Sequence, residues 1–183
     1  MREPFEIRTP LNLQICRGLN AGDCILLSGS VYTGRDTAHR RLFEALARGE
    51  SLPISLQDEV MFYAAPTPPR PGQIIGSIGP TTSGRMDAFT PRLIEAGLRG
   101  MIGKGKRSPE VIDAIMRHQA VYFGAIGGIA ALTARCIRKV TVAAYEDLGP
   151  EAILRLEVAA LPLVVLNDAH GGDLYREALQ GHF

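Results

Sequence analysis

Apolar residues along this chain fall in short runs separated by polar, glycine- and proline-bearing stretches, the spacing of strands interleaved with helices. Residues 24–33 (CILLSGSVYT) form a continuous apolar run that reads as a buried strand after the Gly22-Asp23 turn signal. Shorter strands are predicted at 60–64, 73–78, 120–126, 140–145 and 161–166. Residues 5–15 alternate loosely (Ile7, Leu11, Leu13, Ile15) and predict an opening edge strand interrupted by Pro10. Between them apolar positions take helical spacing. Ala38, Leu42, Ala45 and Leu46 share a face, with Asp36 placed as N-cap and Gly49 as the stop. Thr90-Pro91 and Ser108-Pro109-Glu110 start two more helices, with Leu93, Ile94 and Leu98, then Val111, Ile112, Ile115 and Met116, facing inward. Short helices are predicted at 129–136, after a Gly127-Gly128 turn, and from Glu151 to near Leu156. The proline-rich run 66–72 fits neither a helix nor a central strand and is taken as a rigid surface linker. The whole predicts one mixed α/β domain over residues 1–183 with a parallel core and no internal repeat.

Composition narrows the function. With 46% hydrophobic and 21% charged residues the chain has the make-up of a globular protein able to bury a core. A net charge of +1 gives no nucleic-acid footprint, and the electrostatics point to a small ligand. The longest nearly uncharged run, 119–134, is interrupted by glycines and falls short of the roughly 20 residues a membrane helix needs. The first residues lack the basic-then-apolar pattern of a signal peptide, so a cytosolic location is expected. Cys16, Cys24 and Cys136 show no close pairing, which argues against a disulfide framework or a self-contained iron–sulfur site.

Three stretches carry candidate chemistry. Residues 76–87 (GSIGPTTSGRMD) place three glycines, a proline, the hydroxyls of Thr81, Thr82 and Ser83, and the Arg85 fork in one loop. Such a loop converges main-chain N–H groups and a bidentate guanidinium on an anion, or else is a solvated surface turn. Arg35 stands just before a helix start, where the macrodipole reinforces its pull on an anion; His39 reads as a helix-surface residue. Lys104, flanked by Gly103 and Gly105, is free to approach a ligand closely or to be a solvated turn lysine. The Asp168, His170 and Asp173 cluster reads as a turn in preference to a metal site.

Taken together, Gly22-Asp23 with residues 28–39 (SGSVYTGRDTAH), residues 78–87 (IGPTTSGRMD), 101–105 (MIGKG) and 145–152 (YEDLGPEA) resemble, in order, the class I fumarase and tartrate dehydratase β subunit, equivalent to the C-terminal domain of single-chain class I fumarases. The resemblance spans nearly the whole chain. It implies a swivelling three-layer β/β/α domain with a mostly parallel central sheet. It also implies reversible dehydration of a four-carbon 2-hydroxy dicarboxylate, malate before tartrate, at a [4Fe–4S] cluster with one iron open to substrate. In that family the cluster cysteines belong to the α subunit, so this chain is expected to be inactive alone and to complete the site from one side. The matching positions make Thr81 the proton-abstracting base, with Arg35, Thr82, Ser83, Gly84, Arg85 and Lys104 binding substrate and no metal ligand on this chain. The assembly implied is two copies of each subunit, or a homodimer of this chain when alone. Gly34, Thr37 and residues 169–172 (AHGG) depart from the usual pattern and bear on substrate identity more than on the reaction. The same cationic loops also suit a non-catalytic carboxylate- or phosphate-binding regulatory module.

Overall fold

The computed structural model describes residues 3–125 and 130–180; the predicted Gly127-Gly128 turn lies outside them. The strands are β1 (Phe5–Arg8), β2 (Cys24–Thr33), β3 (Val60–Phe62), β4 (Gly100–Gly103), β5 (Val121–Ala125), β6 (Ile137–Ala144) and β7 (Ile153–Asn167). The helices are α1 (Leu13–Gly18), α2 (Asp36–Ala47), α3 (Thr90–Glu95), α4 (Pro109–His118), α5 (Ala130–Arg135) and α6 (Leu174–Leu179).

Strands β1 to β5 are parallel neighbours in chain order, which requires a crossover between each pair; α2, α3 and α4 supply those after β2, β3 and β4. Strand β7 then runs antiparallel to β5 on one side and to β2 on the other. Five strands, β2-β3-β4-β5-β7, therefore close into a barrel, with β1 appended to β2 and β6 to β7. The result is an α/β fold on a mixed sheet, its parallel part as expected and its closure not anticipated.

Side chains alternate across that wall with the period of a strand. Val60, Phe62, Ile102, Val121, Phe123 and Val165 fill the barrel. Met61, Tyr63, Met101 and Tyr122 point outward and pack with Leu42, Leu93, Val111 and Ile115 of the helices.

Three local expectations are corrected. The opening strand stops at Arg8: Asn12 accepts the Ile15 amide at 2.9 Å and caps α1, so Leu13 and Ile15 are helical. Residues 73–78 form no strand, because the parallel neighbours of β3 and β4 are already in place; the segment is held by the Thr67 amide on the Ser77 carbonyl, at 2.9 Å, with Ile75 and Ile78 buried. The predicted helix at 151–156 is replaced from Ile153 by the 15-residue β7, whose apolar positions serve three partner strands in turn. A register shift opposite Leu27 and Gly29, with Ala160 at φ 51°, marks the bend between them.

Candidate functional site

Parallel strands deliver their C-terminal ends to one edge of the barrel, the edge where open α/β sheets bind ligands. From β2 the chain continues through Gly34, whose amide donates to the Phe62 carbonyl at 3.0 Å, directly into Arg35 at the N-cap of α2. At the end of β3 the Tyr63 carbonyl accepts the Thr81 amide at 2.7 Å, which seats the glycine-rich loop on the same edge. At the end of β4, Lys104 forms a parallel bridge with Thr82. There the Ser83 amide donates to the Lys104 carbonyl at 2.9 Å, and the Lys104 amide donates to Ser83 Oγ at 3.1 Å. Gly103 is required at that crossing, because a Cβ there would lie 2.0 Å from Ser83 Oγ.

Thr81, Thr82, Gly84, Arg85 and Lys104 are thus brought together on the rim, partly or fully exposed, while Ser83 is fully buried. The Ser83 hydroxyl supports the loop from below; it contacts Tyr122 Oη at 2.8 Å. Arg35 joins the cluster through Asp36, and the N-cap expectation for Asp36 is corrected here. Asp36 occupies the first helical position, and its carboxylate lies 2.9 Å from Arg85 Nη2 and 3.7 Å from Arg35 Nε. On its other side Arg35 Nη1 lies 3.0 Å from Glu151. The two arginines and two carboxylates form an alternating chain, Glu151–Arg35–Asp36–Arg85, whose charges cancel. Lys104 takes no carboxylate among the described residues.

Beneath the rim is a polar network that sequence reasoning missed. Arg107, its side chain 0% exposed, pairs with Asp87 at 2.8 Å and donates to Thr90 Oγ1 at 2.9 Å. Its guanidinium lies 5.2 and 4.8 Å from the rings of Tyr63 and Tyr122. Asp87 also accepts the Ser108 amide at 2.6 Å, tying α4 to the glycine-rich loop. Tyr122 donates to the Gly105 carbonyl at 2.9 Å, so one tyrosine fastens both strands of the Thr82–Lys104 bridge. Burial raises the Tyr122 pKa, opposed by its bond to Ser83 and by the Arg107 charge. In sequence Arg107 closes the charged run Lys104-Gly105-Lys106-Arg107 and looks solvated. The available signal was its position immediately before a strong helix cap.

His39 is buried, not on the helix surface. Its Nδ1–H donates to the Arg35 carbonyl at 2.9 Å, while Nε2 is buried without a partner. Burial lowers its pKa to about 4, against the smaller opposing effect of that carbonyl. A base with a depressed folded pKa binds its proton more weakly than the unfolded chain does, so its stabilising contribution is present above pH 6.5 and is lost as pH falls toward 4. Urea unfolding of the isolated chain should show this residue costing about 2 kcal/mol at pH 5 relative to pH 7.5. His39→Gln should remove that part of the slope, and an unchanged slope would mean that the imidazole stays solvated.

Asp168, His170 and Asp173 make a turn, as expected: Asp168 accepts the amides of Ala21, His170 and Gly172, and His170 Nε2 contacts the Arg17 carbonyl. Cys16, Cys24 and Cys136 are free, and burial raises the Cys16 thiol to about 12. Among the described residues no three His, Cys, Asp or Glu side chains converge as metal ligands, so this donor set does not fit an iron–sulfur cluster. No helix among them is long and apolar enough to cross a membrane. Clefts of about 420 and 410 Å³ are lined by other residues, Arg41, Glu44 and Tyr145 in one and Arg8, Arg138 and Arg155 in the other; on the rim Thr82, Gly84, Arg85 and Lys104 are exposed.

The family described as fumarase C-terminus matches residues 4–178. Among similar proteins, the aerobic class I fumarate hydratase of Salmonella typhimurium is 40% identical over 153 residues, 82% of this chain and 26% of that one. The anaerobic class I enzyme of Escherichia coli is likewise 40% identical, over 82% of this chain and 28% of its own. A Methanocaldococcus jannaschii protein provisionally named L(+)-tartrate dehydratase subunit beta is 36% identical over 87% of this chain and 85% of its own. The chain therefore spans about a quarter of the length of the fumarate hydratases it matches and most of the length of the β-subunit relative.

Proposed function

The chain belongs to the fumarase C-terminus family, and from that premise we propose that it is the β subunit of an iron–sulfur-dependent hydro-lyase that dehydrates a four-carbon 2-hydroxy dicarboxylate. Malate to fumarate is the first substrate pair, and tartrate to oxaloacetate the next. The observation that carries this reading is the open rim where Thr81, Thr82 and Lys104 meet the Arg35–Asp36–Arg85 chain at the ends of three parallel strands.

In this proposal Arg35 and Arg85 bind substrate carboxylate, and Thr82 and the Gly84 main chain take further substrate oxygens. Ser83 is placed with them as a substrate contact, its buried hydroxyl also holding the loop through Tyr122 and the Lys104 amide. Thr81 removes the proton from the carbon beside a carboxylate, and Lys104 and Arg85 stabilise the negative charge that develops there. An alcohol is a weak base at neutral pH, so Thr81 requires local activation, which a neighbouring ammonium supplies by stabilising the alkoxide. A [4Fe–4S] cluster, which supplies Lewis-acid chemistry when bound, belongs to the α partner in this reading. The 183 residues act as one domain that swivels to bring its rim against that partner, in a cytoplasmic assembly of two copies of each subunit.

The regulatory-module reading draws less support. No separate observation favours it: the same Arg35, Arg85 and Lys104 side chains would hold its carboxylate or phosphate. Anaerobic co-expression with a longer chain bearing three well-separated cysteines tests the proposal. A brown complex that dehydrates malate or tartrate, with this chain inactive alone, is the expected result; a colourless chain that recruits no partner would overturn it.

A further inference from the structure

Residues 145–152 carried part of the family resemblance without acquiring a role, and the structure shows where they go. Glu146–Glu151 is a tight 3-10 turn, kinked at Gly149 and Pro150, that lies against the N-terminal half of α2. Three attachments fix it. Arg41 makes a two-pronged bond to Asp147 at 2.8 and 2.6 Å and stacks over the Tyr145 ring at 5.2 Å. Thr33 Oγ1, at the end of β2, accepts the Leu154 amide at 3.0 Å. Glu151 reaches Arg35 Nη1 at 3.0 Å. With both ends anchored, the turn presents one carboxylate to one corner of the Arg35 fork. Arg35 Nε, on the other side of the fork, is buried 3.7 Å from Asp36 Oδ1, beyond hydrogen-bond distance, and neither atom has another partner.

A guanidinium carries five donors in one plane, so fixing one terminal nitrogen aims the others. We propose that Glu151 is a positioning residue: with Asp36 beside Nε, it fixes the Arg35 plane so that the partly exposed guanidinium is held ready for a carboxylate of the ligand. The kinetic part of this inference rests on the hydro-lyase reading; the geometric part does not.

Two measurements test it. In the assembled enzyme, Glu151→Gln should raise KM about tenfold with kcat within about twofold, because binding is weakened equally in ground and transition states. Glu50→Gln, which removes the same charge from an exposed pair with Arg48, should change neither constant. Arg35→Ala and Arg35→Ala/Glu151→Gln should be indistinguishable, since Glu151 acts through Arg35; multiplicative losses would overturn the proposal. In the isolated chain, the Arg35 Nε–Hε signal in nitrogen-15 NMR should shift and exchange faster with water in Glu151→Gln, and an unmoved signal would equally overturn it. If the assembled wild type turns over no dicarboxylate, the hydro-lyase reading fails while the NMR result still decides the role of Glu151.

Discussion

Arg85→Ala is expected to lower turnover of the assembled enzyme by about 10²- to 10³-fold, the loss typical of removing one preorganised donor from a developing negative charge. The side chain is 49% exposed, and its one ion pair among the described residues is with Asp36, so folding and assembly should be untouched. Its loop is held instead by main-chain bonds from Thr81 to Tyr63 and from Ser83 to Lys104. Arg85→Lys should recover only part of the rate, because a lysine restores the charge without the planar fork. Steady-state kinetics with co-purification of both subunits checks this, and normal turnover in Arg85→Ala would remove the residue from the site.

Asp87→Ala should act through stability. It strands the fully buried Arg107 guanidinium and removes the acceptor for the Ser108 amide at the start of α4. Breaking a buried ion pair from one side costs about 3–5 kcal/mol, because the charge left behind is uncompensated. That is a large share of the roughly 5–15 kcal/mol that holds a domain folded. Urea unfolding of the isolated chain should register this loss, with Asp113→Asn as a control, since its exposed pair with Arg117 should contribute under about 0.5 kcal/mol. A loss below about 1 kcal/mol for Asp87→Ala would mean that water reaches Arg107.

The two effects separate the rim, the proposed site of the chemistry, from the network beneath it, which holds the rim in shape. That network fixes the C-terminal half of the loop, residues 82–87. Tyr122, on the outer face of β5, holds its Ser83 hydroxyl, and Asp87, paired with Arg107, ties it to α4.

Wherever a local rule sufficed, the sequence by itself determined the outcome. Periodicity placed β2, α2 and α4, Ser108 capped its helix, and Gly49 ended another in a left-handed turn at φ 69°. The glycine- and arginine-bearing loops declared themselves because few residues suit a close-approach turn or a bidentate anion site. What sequence could not supply was pairing across long separations. Residues 153–156 look helical until β2 and β6 are present to hydrogen-bond them, and 73–78 looks like a strand until the sheet has no position for it. Charge was misread for the same reason. Arg107 and His39 are polar by composition and buried by context, and Asp36, an N-cap by its position, is a bridge between two arginines because folding brings residue 85 beside residue 36. Local propensity depends on a few neighbouring dihedrals; burial and ion pairing depend on which distant surfaces meet, and only the tertiary structure decided that.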